Sequence, residues 1–265
     1  LNKRDAFLFK MYQAFGHHFD FIAIPIIKKR LRMDTSQVII NEERPQLTKH
    51  LATRFKEKIG QNVNLLGEVV LGNGEADHRY HHYLEALESP DINYISVKIS
   101  GIYAQTHALN YEESFPELVS RMSALYQKAI DFPYTDEDGI KRSKFINLDM
   151  EEYKDAHFTL RLFKAVLNLP QFKNYSAGIV VQAYLPDAYD FQTELLEFAK
   201  ARVDGGGAPI KMRLVKGCNL EMETVISSLK GWPNPIRPSK TEVDANYLCL
   251  LERGLMPENA RVLHL

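Results

Sequence analysis

From Asn64 onward, six short apolar runs recur along the chain: NLLGEVVL (64–71), YISVKIS (94–100), FINLDM (145–150), GIVVQAY (178–184), IKMRLVKG (210–217) and RVLHL (261–265). Their Val, Ile and Leu content is that of strands covered on both faces. Between them, residues 75–87, 111–131, 153–167, 188–201, 220–229 and 243–254 carry apolar side chains three and four apart, which predicts helices. Successive strand–helix pairs predict βα units and a parallel sheet. No GxGxxG follows the first run, so a dinucleotide-binding doubly wound sheet has no support. The succession fits a (β/α)8 TIM-type barrel, here truncated after about six strands.

The first sixty residues read differently. Ala6, Phe7, Phe9, Met11 and Phe15, then Phe19 and Ile22, form an apolar helical surface that Pro25 interrupts, and Glu42–Ile59 places Leu47, Leu51, Phe55 and Ile59 four apart. We therefore divide the chain into an N-terminal helical arm, 1–60, and a partial barrel, 61–265. Pro133–Lys144 is a polar, glycine-containing insertion before the third strand. The chain starts at Leu1 and stops on the apolar run Val262–Leu265, which is how a fragment of a longer protein is expected to look.

Composition narrows the function classes. With 33 basic and 34 acidic residues the formal charge is −1, so no bulk field recruits nucleic acid or an anionic membrane, and any cationic site must be local. Cys218 and Cys249 have neither metal-ligand spacing nor a disulfide framework, which suits a reducing, cytoplasmic compartment. Cys249 reads as helix core, Cys218 as a loop residue, and the His81–His82 pair as solvated. The apolar runs near 21–27 and 177–185 are too short to span a bilayer, and nothing resembles a signal peptide.

The candidate chemistry lies in polar residues set into the apolar runs. Reading strand by strand gives Glu68, then Lys98 with Ser100, Asn147 with Asp149, Gln182 with Tyr184, and Arg213 with Lys216. Barrel enzymes place their chemistry at the C-terminal ends of strands. Each residue also has an ordinary reading: Lys98 as a snorkelling lysine, Asp149 as a helix cap, Gln182 as a partner of neighbouring backbone, Arg213 as an ion-pair partner of Asp149. Several cations, a carboxylate, an amide and a tyrosine together suit an anionic cofactor and an anionic substrate. Metal-assisted hydrolysis is poorly supported, since no Cys/His cluster is present. Two alternatives stay open: a Schiff-base lyase using Lys98, and a non-catalytic, truncated barrel.

The motifs ISVKIS, INLDMEEY, GIVVQAYLPDA, IKMRLVKGCNLEMETV and SKTEVDANY, in this order, resemble the proline dehydrogenase family. The likeness is nearest to the proline dehydrogenase domain of bifunctional bacterial proline-utilization flavoenzymes. NLLGEVVLG resembles the first strand of that family, and the likeness runs over 20–265. The resemblance implies a distorted (β/α)8 barrel that binds FAD at its strand ends and oxidises L-proline to Δ1-pyrroline-5-carboxylate. It also implies electron transfer to a quinone, peripheral contact with the inner membrane, and proline catabolism to glutamate.

Carried over by motif, Lys98 matches the lysine that meets the proline carboxylate, and Asp149 the aspartate of the LDxEE motif. Gln182 and Arg213 match flavin contacts, Arg213 the one near the reactive nitrogen. Lys216 and Gly217 fall in the phosphate and ribose cradle, with Ser239 and Lys240 toward the adenosine end. Glu68 matches an acid that positions a substrate-binding arginine. Where many members have an alanine and then an aromatic pair, this chain has Cys218, Asn219 and Leu220, a subgroup difference that puts Cys218 among the flavin contacts. The family's last two strands and a pair of substrate-binding arginines have no counterpart here, so the fragment alone is expected to be inactive. An open barrel leaves strand edges unpaired, which favours a homo-oligomer.

Overall fold

The structure, a computed structural model, describes residues 10, 20–35, 39–40, 44–65, 70, 72–104, 106 and 108–265. Its contacts divide the chain into two units, 1–59 and 60–265. In the first, helix α1 spans Asp20–Thr35 and α2 spans Arg44–Lys56. The expected interruption at Pro25 does not occur, and α1 runs through it. Its missing N–H costs the helix one backbone hydrogen bond, and the helix continues beyond it to Thr35. Apart from Lys10, residues 1–19, and with them most of the apolar surface expected before residue 20, lie outside the described residues.

The second unit alternates strand and helix. In order it contains β1 (Val63–Asn64), α3 (Asn73–Glu88), β2 (Tyr94–Lys98), the short α4 (Ile99–Ile102), α5 (Tyr111–Asp131), β3 (Tyr134–Thr135), β4 (Lys141–Arg142) and β5 (Phe145–Asp149). Then come α6 (Ala156–Leu167), β6 (Gly178–Gln182), α7 (Ala188–Asp204), β7 (Ile210–Val215), α8 (Leu220–Lys230), α9 (Lys240–Gly254) and β8 (Leu263–His264). Six strands form one sheet in the order β1-β2-β5-β6-β7-β8, every neighbouring pair parallel. Spatial order follows chain order, as in a barrel wall. Among the described residues no pairing joins β8 to β1, so the wall is open and no closed barrel forms.

Several boundaries differ from the sequence pattern. At the first run the sheet includes Val63–Asn64 among the described residues, and residues 66–69 and 71 lie outside them. Ser100 sits in α4 rather than on a strand. The polar insertion is a β-hairpin, β3 paired antiparallel with β4. Asp136 fixes its turn by accepting from the backbone N–H of Asp138 and Ile140. Cys249 is exposed on α9, not part of a core, because the buried positions of that helix are Val243, Leu250 and Gly254.

The strand alternation sorts the sheet into two unlike faces. Ile95, Val97, Ile146, Leu148, Ile179, Val181, Ile210 and Met212 are buried on the outer face, where α5 packs on β5, α7 on β6 and α9 on β7. The inner face is largely polar. At its lower end Tyr94 and Phe145 meet edge to face at 5.0 Å, and the Lys211 ammonium lies 5.1 Å from the Tyr94 ring centre. Gly178 is required there, since a Cβ would fall 2.7 Å from Asn147 Oδ1 and 3.0 Å from the Phe145 ring. At the same end, outside the sheet, Arg202 of α7 donates to the carbonyls of Leu167, Phe172, Lys173, Tyr175 and Ala208. No helix among the described residues is long and apolar enough to cross a membrane.

Candidate active site

Parallel register brings the C-terminal ends of β2, β5, β6 and β7 side by side. Lys98 is directly opposite Asp149, and Gln182 opposite Val215. Two ion pairs alternate across this end: Lys98 Nζ lies 2.7 Å from Glu151 Oε1, and Arg213 Nη1 lies 3.3 Å from Asp149 Oδ1. Within the second pair the aspartate is only 12% exposed while the arginine is 43% exposed, so Arg213 is the member that a ligand would meet. The Asn147 amide donates to Asp149 Oδ1 at 2.7 Å, and the Asn64 amide to Asp149 Oδ2 at 3.3 Å. Burial raises the Asp149 pKa, against the opposing pull of Arg213, the Ser96 hydroxyl, the Asn147 amide and Lys98. Asp149 is therefore held by side chains from its own strand and from β1, β2 and β7 rather than capping a helix; α6 begins later, at Ala156.

Gln182, buried at the end of β6, spans the gap to β5. Its amide nitrogen donates to the carbonyls of Met150 and Glu151 at 3.1 and 3.2 Å, while its carbonyl oxygen is buried with no donor. Such an acceptor suits a ligand N–H. Just beyond, the Tyr184 ring packs flat against the turn leaving β7. At Gly217, φ is +126° and a Cβ would lie 2.4 Å from that ring, so glycine is the residue both conformation and space allow. Burial pushes the Tyr184 phenol up in pKa, and likewise the Cys218 thiol, which feels Lys98, Glu151 and Asp149. Nearby, the half-exposed Tyr153 presents its backbone N–H to the buried Glu223 carboxylate at 2.6 Å, and burial raises the pKa of that carboxylate.

A second group of cations gathers on the same end of the sheet. Lys216 Nζ and Lys240 Nζ each lie 2.6 Å from the Asp244 carboxylate, one on each oxygen, and together they hold its pKa down. Lys216 leaves β7 and Lys240 opens α9, so this bridge joins strand end to helix start. Ser239 is the N-cap of α9, its hydroxyl accepting from the Glu242 N–H at 3.3 Å. Two ammoniums beside a helix N-terminus suit an anionic group of phosphate type.

The structure thus gathers Lys98, Asp149, Gln182 and Arg213 at one end, with Gly217 and Cys218 on the turn above and Lys216, Ser239 and Lys240 in the adjoining cationic group. Glu68 lies outside the described residues. Glu151 has no place in the strand-end reading, yet it takes Lys98 and, on its other oxygen, the Ser100 hydroxyl. Its sequence signal is its place in the LDxEE motif, two residues after Asp149 at the strand exit. Lys211, unassigned by motif, belongs to the layer beneath the site. With Arg213 it lines a cavity of about 450 Å³ shared with Tyr94, Tyr247, Leu251 and Leu265.

The sequence model of a family described as proline dehydrogenase matches residues 47–265. Among solved structures, the chain is similar to proline utilization A from Corynebacterium freiburgense, at 41% identity and a TM-score of 0.81, over 89% of this chain and 24% of that one. It is also similar to proline utilization A from Bdellovibrio bacteriovorus, inactivated there by N-propargylglycine, at 31% identity and a TM-score of 0.79, over 93% and 26%. The likeness to proline utilization A from Bradyrhizobium japonicum, at 24% identity, a TM-score of 0.63 and coverage of 74% and 20%, bears on the fold alone. The chain spans about a quarter of the length of the two more similar proteins. No curated protein sequence matches it.

Proposed function

We propose, from the premise that this chain belongs to the proline dehydrogenase family, that it forms the substrate- and cofactor-holding part of an enzyme oxidising L-proline to Δ1-pyrroline-5-carboxylate. The observation that carries the reading is the alternating set Glu151–Lys98 and Asp149–Arg213 at the strand ends. The reaction removes two electrons and two protons, turning the bond between the ring nitrogen and its neighbouring ring carbon from C–N into C=N. FAD, when bound, supplies the two-electron acceptor.

The chain's own residues divide the remaining work. Lys98 takes the substrate carboxylate and fixes its orientation, a role with large leverage in a site shielded from water. Arg213, the exposed member of its ion pair, would offer a cation to the bound acceptor and favour its negatively charged reduced form. Asp149, almost buried behind Arg213 and held by Asn147 and Asn64, fixes the position of that guanidinium. With the cofactor bound, the free oxygen of Gln182 would serve as its acceptor for an N–H. Lys216 and Lys240 would hold its phosphates, with Gly217, Cys218 and Ser239 lining the same path. Electrons leave to a quinone, through peripheral contact of a cytoplasmic homo-oligomer with the inner membrane. Engagement of the Lys98 ammonium by Glu151 weighs against Lys98 as a Schiff-base nucleophile, which needs a free amine.

The test is flavin binding and its reduction by substrate. The protein that carries this chain should retain FAD, absorb near ~450 nm, as bound flavin does, and bleach when L-proline is added. Arg213→Met should shed flavin on gel filtration or slow the bleaching by roughly tenfold or more. Wild-type behaviour of the variant removes Arg213 from the site, and a wild-type protein that neither holds flavin nor bleaches overturns the reading.

A further inference from the structure

We propose that Glu151 is a positioning residue: it sets the Lys98 ammonium so that the site selects ligands bearing a carboxylate. The inference rests on the reading of Lys98 as the cation for the substrate carboxylate. Lysine is a compact charge on a four-carbon stem, and an unpartnered ammonium at a strand end samples many rotamers. Here it does not. Glu151 Oε1 accepts from Lys98 Nζ at 2.7 Å, and Oε2 accepts from the Ser100 hydroxyl, so neither carboxylate oxygen is free to turn away.

The backbone beneath the carboxylate is fixed as well. Gln182 donates to the carbonyls of Met150 and Glu151 from its buried seat on β6. Three strands therefore converge on one residue: β5 leads to Glu151, β2 supplies Lys98 to its carboxylate, and β6 supplies Gln182 to its backbone carbonyl. A lysine ammonium has three protons to donate. Glu151 takes one, and the Lys98 side chain remains 28% exposed, so the others stay open to an incoming anion. A carboxylate next to a cation also competes with an anionic ligand for that cation. Geometry and competition predict opposite effects when Glu151 is removed, and the isosteric amide separates them.

The experiment measures steady-state oxidation of L-proline and of L-prolinamide, which lacks the carboxylate, by the flavin-loaded protein that carries this chain. Glu151→Ala should raise KM for L-proline about tenfold, the loss expected for one hydrogen bond to a charged group. KM for prolinamide should rise by a clearly smaller factor than KM for L-proline, since the neutral amide carbonyl gains less from the ammonium than a carboxylate does. Glu151→Gln keeps an oxygen in place for Lys98 and should restore most of the proline KM. Ser100→Ala frees one carboxylate oxygen and should shift KM in the same direction by a smaller factor. In a Lys98→Met background, Glu151→Ala should add nothing further. Unchanged discrimination between the two compounds in Glu151→Ala overturns the inference while leaving the reading of Lys98 intact. A lower proline KM in both Glu151 variants assigns Glu151 as a competitor and also overturns it. A wild-type protein that oxidises neither compound overturns the underlying reading, and the inference with it.

Discussion

Replacing Arg202 by Met removes a guanidinium while leaving most of its stem. The five carbonyls it binds come from the end of α6 at Leu167, from the Phe172–Tyr175 connection into β6, and from Ala208 before β7; the Lys173, Tyr175 and Ala208 bonds are each 2.9 Å. One side chain thus ties together three segments on the end of the sheet opposite the candidate site. Hydrogen bonds from a charged donor are each worth about 1.5–3 kcal/mol. Three of the five share a single nitrogen, and water can reach part of the cluster, so the sum is far below five full bonds. A loss of about 3–4 kcal/mol is the expected net, because the carbonyls cannot all find new donors. For a unit of this size that is a fall of roughly 6–15 °C in thermal midpoint. Far-UV circular dichroism at neutral pH reads the change directly, and Arg202→Lys, with a point charge instead of a fork, should recover less than half of it. A midpoint within about 2 °C of wild type would show that water satisfies these carbonyls as well as the arginine does, and the clamp would have no energetic meaning.

Two further outcomes follow from buried or strained positions. Lys144 is 2% exposed, donates to the Ser89 carbonyl, and has its pKa lowered by burial from 10.5 to about 8. Its folded pKa lies below its unfolded value, so the charged form is disfavoured in the folded state. Relative to Lys144→Met, the wild type should gain stability as pH rises from about 8 to 10.5 and change little outside that window; urea midpoints measured across it that stay parallel would refute the assignment. Gly217→Ala forces a side chain into a left-handed conformation and onto the Tyr184 ring. It should lower stability by about 2–4 kcal/mol, partly restored by adding Tyr184→Ala, and an unchanged urea midpoint would count against the close packing of this turn.

The sequence carries the strand–helix succession well because each element has its own periodicity. Helix α5 falls on the 111–131 expected from apolar spacing, since its buried positions, Leu118, Met122, Leu125, Tyr126 and Ala129, lie three and four apart. The hairpin at 134–142 has no such signal. Its strands are two residues long, and β4 is Lys141–Arg142, so nothing alternates. Pro25 misleads for a different reason: proline disfavours a helix interior, yet it removes one backbone bond and α1 continues through it. At the site, Lys98, Asp149, Gln182 and Arg213 are visible as polar breaks in apolar runs. Glu151 is not, because a glutamate after a strand looks like the first-turn acid of the next helix. Its importance comes only from meeting Lys98 and Ser100 across the sheet, a contact no local pattern encodes.

The Asp244 bridge has a consequence for how the cationic end responds to salt. Two exposed lysines would ordinarily gather ions from solution, and a ligand anion would release them, so its affinity would fall steeply with ionic strength. Here Asp244 already occupies both ammoniums from within the chain. An anion arriving between Lys216 and Lys240 exchanges with a tethered carboxylate rather than with dissolved ions. Its grip is weaker at low salt than two bare lysines would give, and it declines more gently as salt is added. Asp244 is, in effect, a counterion that cannot diffuse away.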